Sequence, residues 1–467
     1  MNSFVKNKGL WLGFALIFLT GADSAVFGQA VKPLMQPIVV SPSAQPVPAA
    51  APPLVKKTGS SMPVTSMAAA GRKTSIPVLA DMEIPGYSGV LVEDLNGNTV
   101  LDSNSNYAFN PASNVKVATA YAVIKTFGPD YRFQTSVWSD GQIDPLTGTL
   151  NGNLYVSGRD PVFGYEHGVA LSNELNRLGV RQISGDLIVT GNFVMNHSSS
   201  TERAGASLAA TMDGAKRSTA ANRAWQSYLV NSRNVNSIGG FPSVSITGSS
   251  YVQTIPTNAR LLFSHESAPI REIIKLTLCY SNNYLAEKLG DMLGGPYAVA
   301  RVVQMNAQIP AEQFVLQTSS GLGINRVTPQ AMMKLLRTLQ KELARNKMTF
   351  ADIMPVAGID KGTLEHRFDT DFSRGSVVGK TGTLGETDGG ASSLCGEMQT
   401  RTGKVLFVIF NQRGNNTRFR GFQNSLVSII QGQLGGAAPI AYAGIPLDQR
   451  IARTRITYPD TRPRINE

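Results

Sequence analysis

The chain has 467 residues, 42% of them hydrophobic and 16% charged, with a formal net charge of +11. That composition provides for a sizeable core, excludes a disordered chain, and leaves room for about three domains. The positive excess favours anionic partners such as acidic cell-wall polymers or a membrane surface, whereas nucleic acid is disfavoured because no Arg/Lys cluster interleaves with aromatics and no zinc-finger spacing occurs.

Residues 1–30, "MNSFVKNKGLWLGFALIFLTGADSAVFGQA", place Lys6 and Lys8 before an apolar run from Leu10 to Leu19 and then small residues. This is the layout of a secretory signal peptide, with a cut after Ala30 or Ala25. The alternative is an uncleaved anchor, but the run is shorter than the roughly 20 residues of an ordinary span. The expected location is periplasmic or otherwise exported, with membrane association at most peripheral. Residues 31–77 are rich in Pro, Ala, Ser and Val and read as an extended linker.

Order is expected from "IPGYSGVLVEDLNGNTVLDSNS", where two strand-like runs flank Asn96-Gly97 as in a hairpin. A helix opens at Pro111, a residue suited to a helix start. Strand-like segments follow in "RFQTSVWSDG" and "GTLNGNLYVSG", then a helix in "GVALSNELNRLG" and a strand in "QISGDLIVTGNFV". The polar, alanine-rich stretch 198–240 carries no clear period and reads as a mobile loop. Helical pattern returns in "APIREIIKLTLCYSNNYLAEKLGDMLGG" and "TPQAMMKLLRTLQKELARN". Then "SVVGKTGTL", "GASSLCGEMQT" and "KVLFVIFNQ" predict three consecutive antiparallel strands, and "QNSLVSIIQGQLG" a closing helix. Residues 438–467 carry little pattern and read as a tail. The fold class is α+β: an antiparallel sheet with helices, formed by 78–133 and 263–437, and interrupted by a smaller α/β domain over 134–262.

Three short motifs carry chemistry. "FNPASNVKVATAYAVI" sets Ser113 and Lys116 three apart on one helix face. A serine hydroxyl is a weak nucleophile until a neighbour takes its proton. A lysine can do so where burial and nearby charge lower its pKa. The pair alone is weak evidence, since a solvated serine beside a snorkelling lysine is commonplace. "CYSNNYLAEKL" adds Ser281-Asn282-Asn283 between helical segments, and "VVGKTGTL" adds Lys380-Thr381-Gly382-Thr383 on a strand. Together they form an S-x-x-K, S-x-N, K-T-G set. Lys57-Thr58-Gly59 and Ser232-Arg233-Asn234 repeat two of the patterns, but in the linker and in a loop.

On these motifs the chain resembles the class C, low-molecular-mass penicillin-binding proteins, which are D-alanyl-D-alanine carboxypeptidases/endopeptidases. "NLYVSGRDPVF", "HESAPIREIIKLTLCYSNNYLAEKL", "SSGLGINRVTPQAMMKLL" and "AGIDKGTLEHRF" also look like family segments, so the resemblance runs over roughly residues 85 to 435. It implies a penicillin-binding-protein/β-lactamase-like transpeptidase fold and a serine-type reaction on peptidoglycan stem peptides, with β-lactams as covalent inhibitors. Ser113 would be acylated by the penultimate D-alanine carbonyl and Lys116 would be the general base. Ser281 would relay a proton to the leaving amine, and Asn283 would hold Lys116 and the substrate backbone. Lys380 and Thr381 would attract the terminal carboxylate and tune Ser281, and Gly382 would leave room for the substrate. The backbone N–H groups of Ser113 and Thr383 would receive the oxyanion. No metal or cofactor is implied.

The chain departs from the family pattern in several places. Asn282 stands where an aspartate is usual, and "TSSGLG" lacks the usual acidic residue. The insertion is short and lacks the family's Trp- and Asp-bearing segment around 198–225. Two other readings share the motifs. A β-lactamase needs a deacylating glutamate, and neither Glu312 nor Glu342 sits in a recognisable loop of that kind. A wall-binding scaffold would keep the fold without activity. Cys279 and Cys395 can pair in an exported protein, but two separate buried thiols are expected, one on a core helix and one on the strand after K-T-G. The four histidines show no metal-ligand spacing.

Overall fold

A computed structural model describes residues 72–232 and 241–459. The segments read as a signal peptide and as most of a linker lie outside the described residues.

The central element is a six-stranded antiparallel sheet. Its order is Lys73–Thr74, Thr99–Ser103, Tyr87–Asp94, Gly403–Gln412, Ala391–Thr400, Val377–Leu384. The run Val405–Phe410 is apolar at every position because the sheet is covered on both sides. Successive side chains alternate faces. Leu406, Val408 and Phe410 pack with the helices that carry the nucleophile motif, while Phe407 and Ile409 pack under Phe422, Leu426 and Ile430 of the closing helix Asn416–Gln433. The Asn96-Gly97 hairpin forms between the second and third strands in this order, with Gly97 at φ 93°.

Residues 134–266 build the inserted unit. A six-stranded mixed sheet has the order Ser250–Val252, Leu187–Val189, Leu154–Gly158, Gln134–Ser139, Arg260–Glu266, Arg455–Thr457, beside a four-stranded sheet that starts at Ser245–Ile246. Its core is separate, centred on Leu171, Leu187, Phe193 and Phe263.

Three readings are corrected. The stretch read as a mobile loop holds two helices, Thr201–Met212 and Thr219–Asn231, each opened by a serine whose hydroxyl accepts a first-turn N–H. Their buried positions, such as Ala204, Leu208 and Met212, have helical spacing, but the small alanines mute it. The supposed tail is packed: Leu447–Ile451 is helical and Arg455–Thr457 adds a strand to the inserted sheet beside Ser264–Glu266. The last residues assigned to the linker, Lys73–Thr74, already pair with Leu101–Asp102.

Candidate active site

Ser113 stands in a 3-10 turn, Ala112–Asn114, that leads into the helix Val115–Phe127. Ala112 takes a positive φ of 47°, a conformation that costs energy for a residue with a Cβ. Gly321 presses on this turn so closely that a methyl group there would come within 1.9 Å of the Ala112 carbonyl oxygen. Lys116, one turn on, is buried. Its Nζ lies 2.7 Å from Asn283 Oδ1, 2.6 Å from the Ser320 carbonyl oxygen and 3.0 Å from Ser113 Oγ. Two of these partners can only accept. A neutral amine would give them its two hydrogens and turn its lone pair to the serine hydroxyl. Burial pushes the Lys116 ammonium down to about 7, opposed by the Glu287 carboxylate.

Ser281 and Asn283 come from the joint between two helices. Ser281 terminates Ile270–Tyr280 in a left-handed conformation, φ 55° and ψ 40°. Asn282 then caps Asn283–Asp291, accepting the Leu285 N–H at 3.0 Å. An asparagine serves as well as an aspartate for this, which gives the departure at 282 a physical reason. Helix Ile270–Tyr280 is fixed from behind by the buried pair Lys275 and Asp360, 2.6 Å apart.

Lys380, Thr381, Gly382 and Thr383 lie on the edge strand Val377–Leu384. The Gly379 N–H points outward, to the Pro355 carbonyl. By the alternation of an antiparallel strand, the N–H groups of Thr381 and Thr383 also face outward. A Cβ at Gly382 would lie 2.9 Å from the Ser113 nitrogen, so only glycine lets strand and nucleophile approach this closely.

Lys380 is the first residue of this motif. Its side chain is fully buried, and its Nζ donates to Ser281 Oγ at 2.9 Å and to the Thr381 carbonyl at 2.6 Å. Burial, then the nearby Lys116, depresses its pKa far below the usual lysine value. Lys380 therefore sits against Ser281, which lines the open cleft. That cleft, about 580 Å³, is lined by Ser113, Ser281, Asn283, Thr381, Thr383 and Arg420 among others.

Sequence reasoning missed three residues. Glu287 accepts the N–H groups of Ser319 at 3.1 Å and Ser320 at 2.9 Å. It thereby supplies from a helix the negative charge that the "TSSGLG" segment lacks. Its spacing of four from Asn283 was the available signal. Arg367 and Arg420 line the same cleft; Arg367 lies in the quoted segment "AGIDKGTLEHRF" but was not singled out, and no motif marked Arg420. The two cysteines are buried and free. Among the described residues no group of His, Cys, Asp or Glu is arranged to hold a metal ion.

Comparison with known proteins shows the family. The chain matches the D-Ala-D-Ala carboxypeptidase 3 (S13) family over residues 77–208 and 241–431. It is 23% identical to a D-alanyl-D-alanine carboxypeptidase DacB of Haemophilus influenzae, over 72% of this chain and 89% of that one. It is 23% identical to a D-alanyl-D-alanine carboxypeptidase of Actinomadura sp., over 78% and 84%. Among solved structures, a predatory peptidoglycan endopeptidase from Bdellovibrio bacteriovorus superposes with a TM-score of 0.66 at 23% identity, covering 80% of this chain and all of that one. Penicillin binding protein 4 from Haemophilus influenzae gives 0.55 at 21% identity, covering 74% and 96%. The chain belongs to the D-Ala-D-Ala carboxypeptidase 3 (S13) family.

Proposed function

We propose that the chain performs the serine D-alanyl-D-alanine carboxypeptidase/endopeptidase reaction on peptidoglycan stem peptides with Ser113 as nucleophile and Lys116 as base. The observation that carries this is the 3.0 Å approach of the Lys116 Nζ to Ser113 Oγ, with the ammonium pushed down to about 7. At neutral pH a large share of the amine is then free to take the hydroxyl proton.

The steps follow from the partners. A stem peptide lies along the outer edge of the strand at residues 380–384, beyond the part that Pro355–Ala357 covers, where backbone groups can accept an added strand. Ser113 Oγ attacks the penultimate D-alanine carbonyl as its proton passes to Lys116. The Ser113 and Thr383 N–H groups receive the oxyanion. The C–N bond breaks, and the leaving amine takes a proton through Ser281, whose hydroxyl is held by Lys380. Water then hydrolyses the ester and restores Ser113. The peptidoglycan substrate and the N-terminal segment together support an exported, periplasmic protein.

Fluorescent penicillin and a peptide ending in D-Ala-D-Ala test the reading. Stable labelling and release of D-alanine are expected from the native chain, and neither from Ser113→Ala. Full labelling of that variant would move the nucleophile elsewhere. Rapid turnover of the adduct would indicate a β-lactamase, and no labelling of the native chain a scaffold.

A further inference from the structure

The turn that presents Ser113 is held by a carboxylate that does not line the cleft. Asp388 lies in the turn Thr387–Gly389, shortly beyond the end of the K-T-G strand Val377–Leu384. It stands in the left-handed region, φ 57° and ψ 27°, which aspartate tolerates better than most side chains. Its Oδ1 accepts from Arg326 Nη2 at 2.8 Å, and its Oδ2 from Arg326 Nη1 at 2.9 Å and from Asn110 Nδ2 at 2.8 Å. Donors from two distant segments thus meet on one carboxylate. Burial favours the neutral acid, but hydrogen bonds from Arg326 and Asn110, and the charges of Arg326 and Arg413, hold Asp388 below the usual carboxylate range.

Asn110 carries the connection to the nucleophile. It is fully buried, and its Nδ2 is shared between Asp388 and the Gly323 carbonyl, 2.9 Å away. Both partners can only accept, so the amide has one allowed orientation. That orientation turns Oδ1 to the Ala112 N–H at 3.1 Å, beside Ser113, where the backbone takes its strained φ of 47°. Such a conformation persists only where its surroundings over-determine it. The Asn110 N–H also donates to the Gln412 side chain, and the Ser393 hydroxyl donates to the Pro111 carbonyl at 2.7 Å. Arg326 adds a third element. It precedes Val327, which bridges Phe109, and follows the loop whose Ser320 carbonyl holds Lys116.

Resting on the peptidase reading, we propose that Asp388 is a positioning residue: through Asn110 and Arg326 it locks the strained Ala112 turn in register with the K-T-G strand. The two oxyanion donors come from these two elements, the Ser113 N–H from the turn and the Thr383 N–H from the strand. Asp388 sets their separation and the aim of Ser113 Oγ. An asparagine at 388 keeps the size but offers one oxygen to three donors, and its own NH2 must face Arg326 or Asn110.

The test follows acylation of full-length native chain and Asp388→Asn by fluorescent penicillin at varied concentration. The maximal acylation rate constant should fall by about 10- to 100-fold, the scale of a misplacement of about 1 Å. The concentration giving half that rate should stay within about threefold, and final labelling should reach that of the native chain. The pH inflection near 7 should not move, since Asp388 is not among the charges acting on Lys116. Asn110→Ala cuts the same link without touching Arg326, and combining it with Asp388→Asn should add less than about threefold to the larger single loss. It also takes over the test should Asp388→Asn not fold. As a readout that needs no acylation, amide hydrogen exchange over residues 109–115 should quicken about tenfold in Asp388→Asn, with residues 187–189 of the inserted unit unchanged. Failure of the native chain to label would count against the peptidase reading alone, and exchange would then decide the role of Asp388. A rate constant within threefold of the native one, a loss confined to final labelling, losses that multiply in the double variant, or unchanged exchange would overturn the assignment.

Discussion

Asn283 and Glu287 stand one turn apart on the same helix and grip the two sides of one residue's surroundings. Asn283 Oδ1 accepts from Lys116 Nζ at 2.7 Å, and the Glu287 carboxylate accepts the N–H groups of Ser319 and Ser320, whose carbonyls in turn accept from Thr119 and Lys116. The helix thus both holds the base and sets the loop that holds it.

This predicts an acidward shift in Glu287→Gln. The Glu287 charge favours the Lys116 ammonium against the larger effect of burial. Without it the lysine pKa falls further, and the base is free at lower pH. An amide also has one carbonyl oxygen to offer two backbone N–H groups, so the loop is held less firmly and the plateau rate drops. Acylation by fluorescent penicillin, followed from about pH 5.5 to 9.5, should show the lower inflection below its parental position near 7. An inflection that stays or rises would remove Glu287 from the charge balance of the base.

The same depressed pKa leaves a mark on stability. An unfolded lysine titrates near 10.4, whereas Lys116 in the fold titrates at about 7. Between these values the unfolded chain binds more protons than the native one, so stability rises with pH across that window. Lys116→Met removes the term. The stability of the parent relative to this variant should therefore grow from pH 7 to pH 10, whatever the sign of the difference at pH 7. Paired urea melts at both pH values read this out, and a constant difference would mean that Lys116 is charged in the folded protein at pH 7 to 10.

How much of this was written in the sequence depends on distance along the chain. Ser113 and Lys116 are three residues apart, and Ser281 and Asn283 two, so local spacing exposed them. The Lys380 orientation was also within reach. Alternation on a strand sets it on the face opposite Thr381, where it meets Ser281. Glu287, Arg367 and Arg420 escaped because their roles arise from contacts across 33, 56 and 37 residues respectively, to Ser320, Gln423 and Thr383. The helices at 201–231 escaped for another reason. Their buried faces mix small residues (Ala204, Gly205, Ala221) with a few larger ones (Leu208, Met212, Trp225, Tyr228), and caps rather than hydrophobicity mark their starts.

Cys279 and Cys395 should behave as two inert thiols. Both are free and buried, and burial pushes each up to about 12. Since the thiolate is the reactive form, a disulfide-exchange reagent at pH 8 should leave the folded protein almost untouched and titrate two thiols after denaturation. An intact mass two units below the reduced chain, restored by reductant, would show a disulfide instead.

The packed C-terminal segment carries the strongest stability prediction. Glu272, in the first turn of the helix that ends at Ser281, is buried. Arg450 reaches its Oε2 at 2.8 Å and Arg453 its Oε1 at 2.8 Å. Arg450 is itself buried and also donates to the Tyr442 hydroxyl, which bonds Asp360 at 2.9 Å. Removing one partner from a buried pair costs about 3–5 kcal/mol, because the remaining charge is left in a poor solvent. Arg453 persists as a second partner, which places Arg450→Ala near the lower end. A fall in Tm on the order of 5 °C is expected. Penicillin labelling at room temperature should persist, since Arg450 touches none of the residues at the nucleophile. Arg450→Lys should recover part of the loss through its charge, but not the paired contact to Glu272 and Tyr442. A Tm within 1 °C of the parent in Arg450→Ala would show that the segment from 447 to 457 is not bound to the helix it covers.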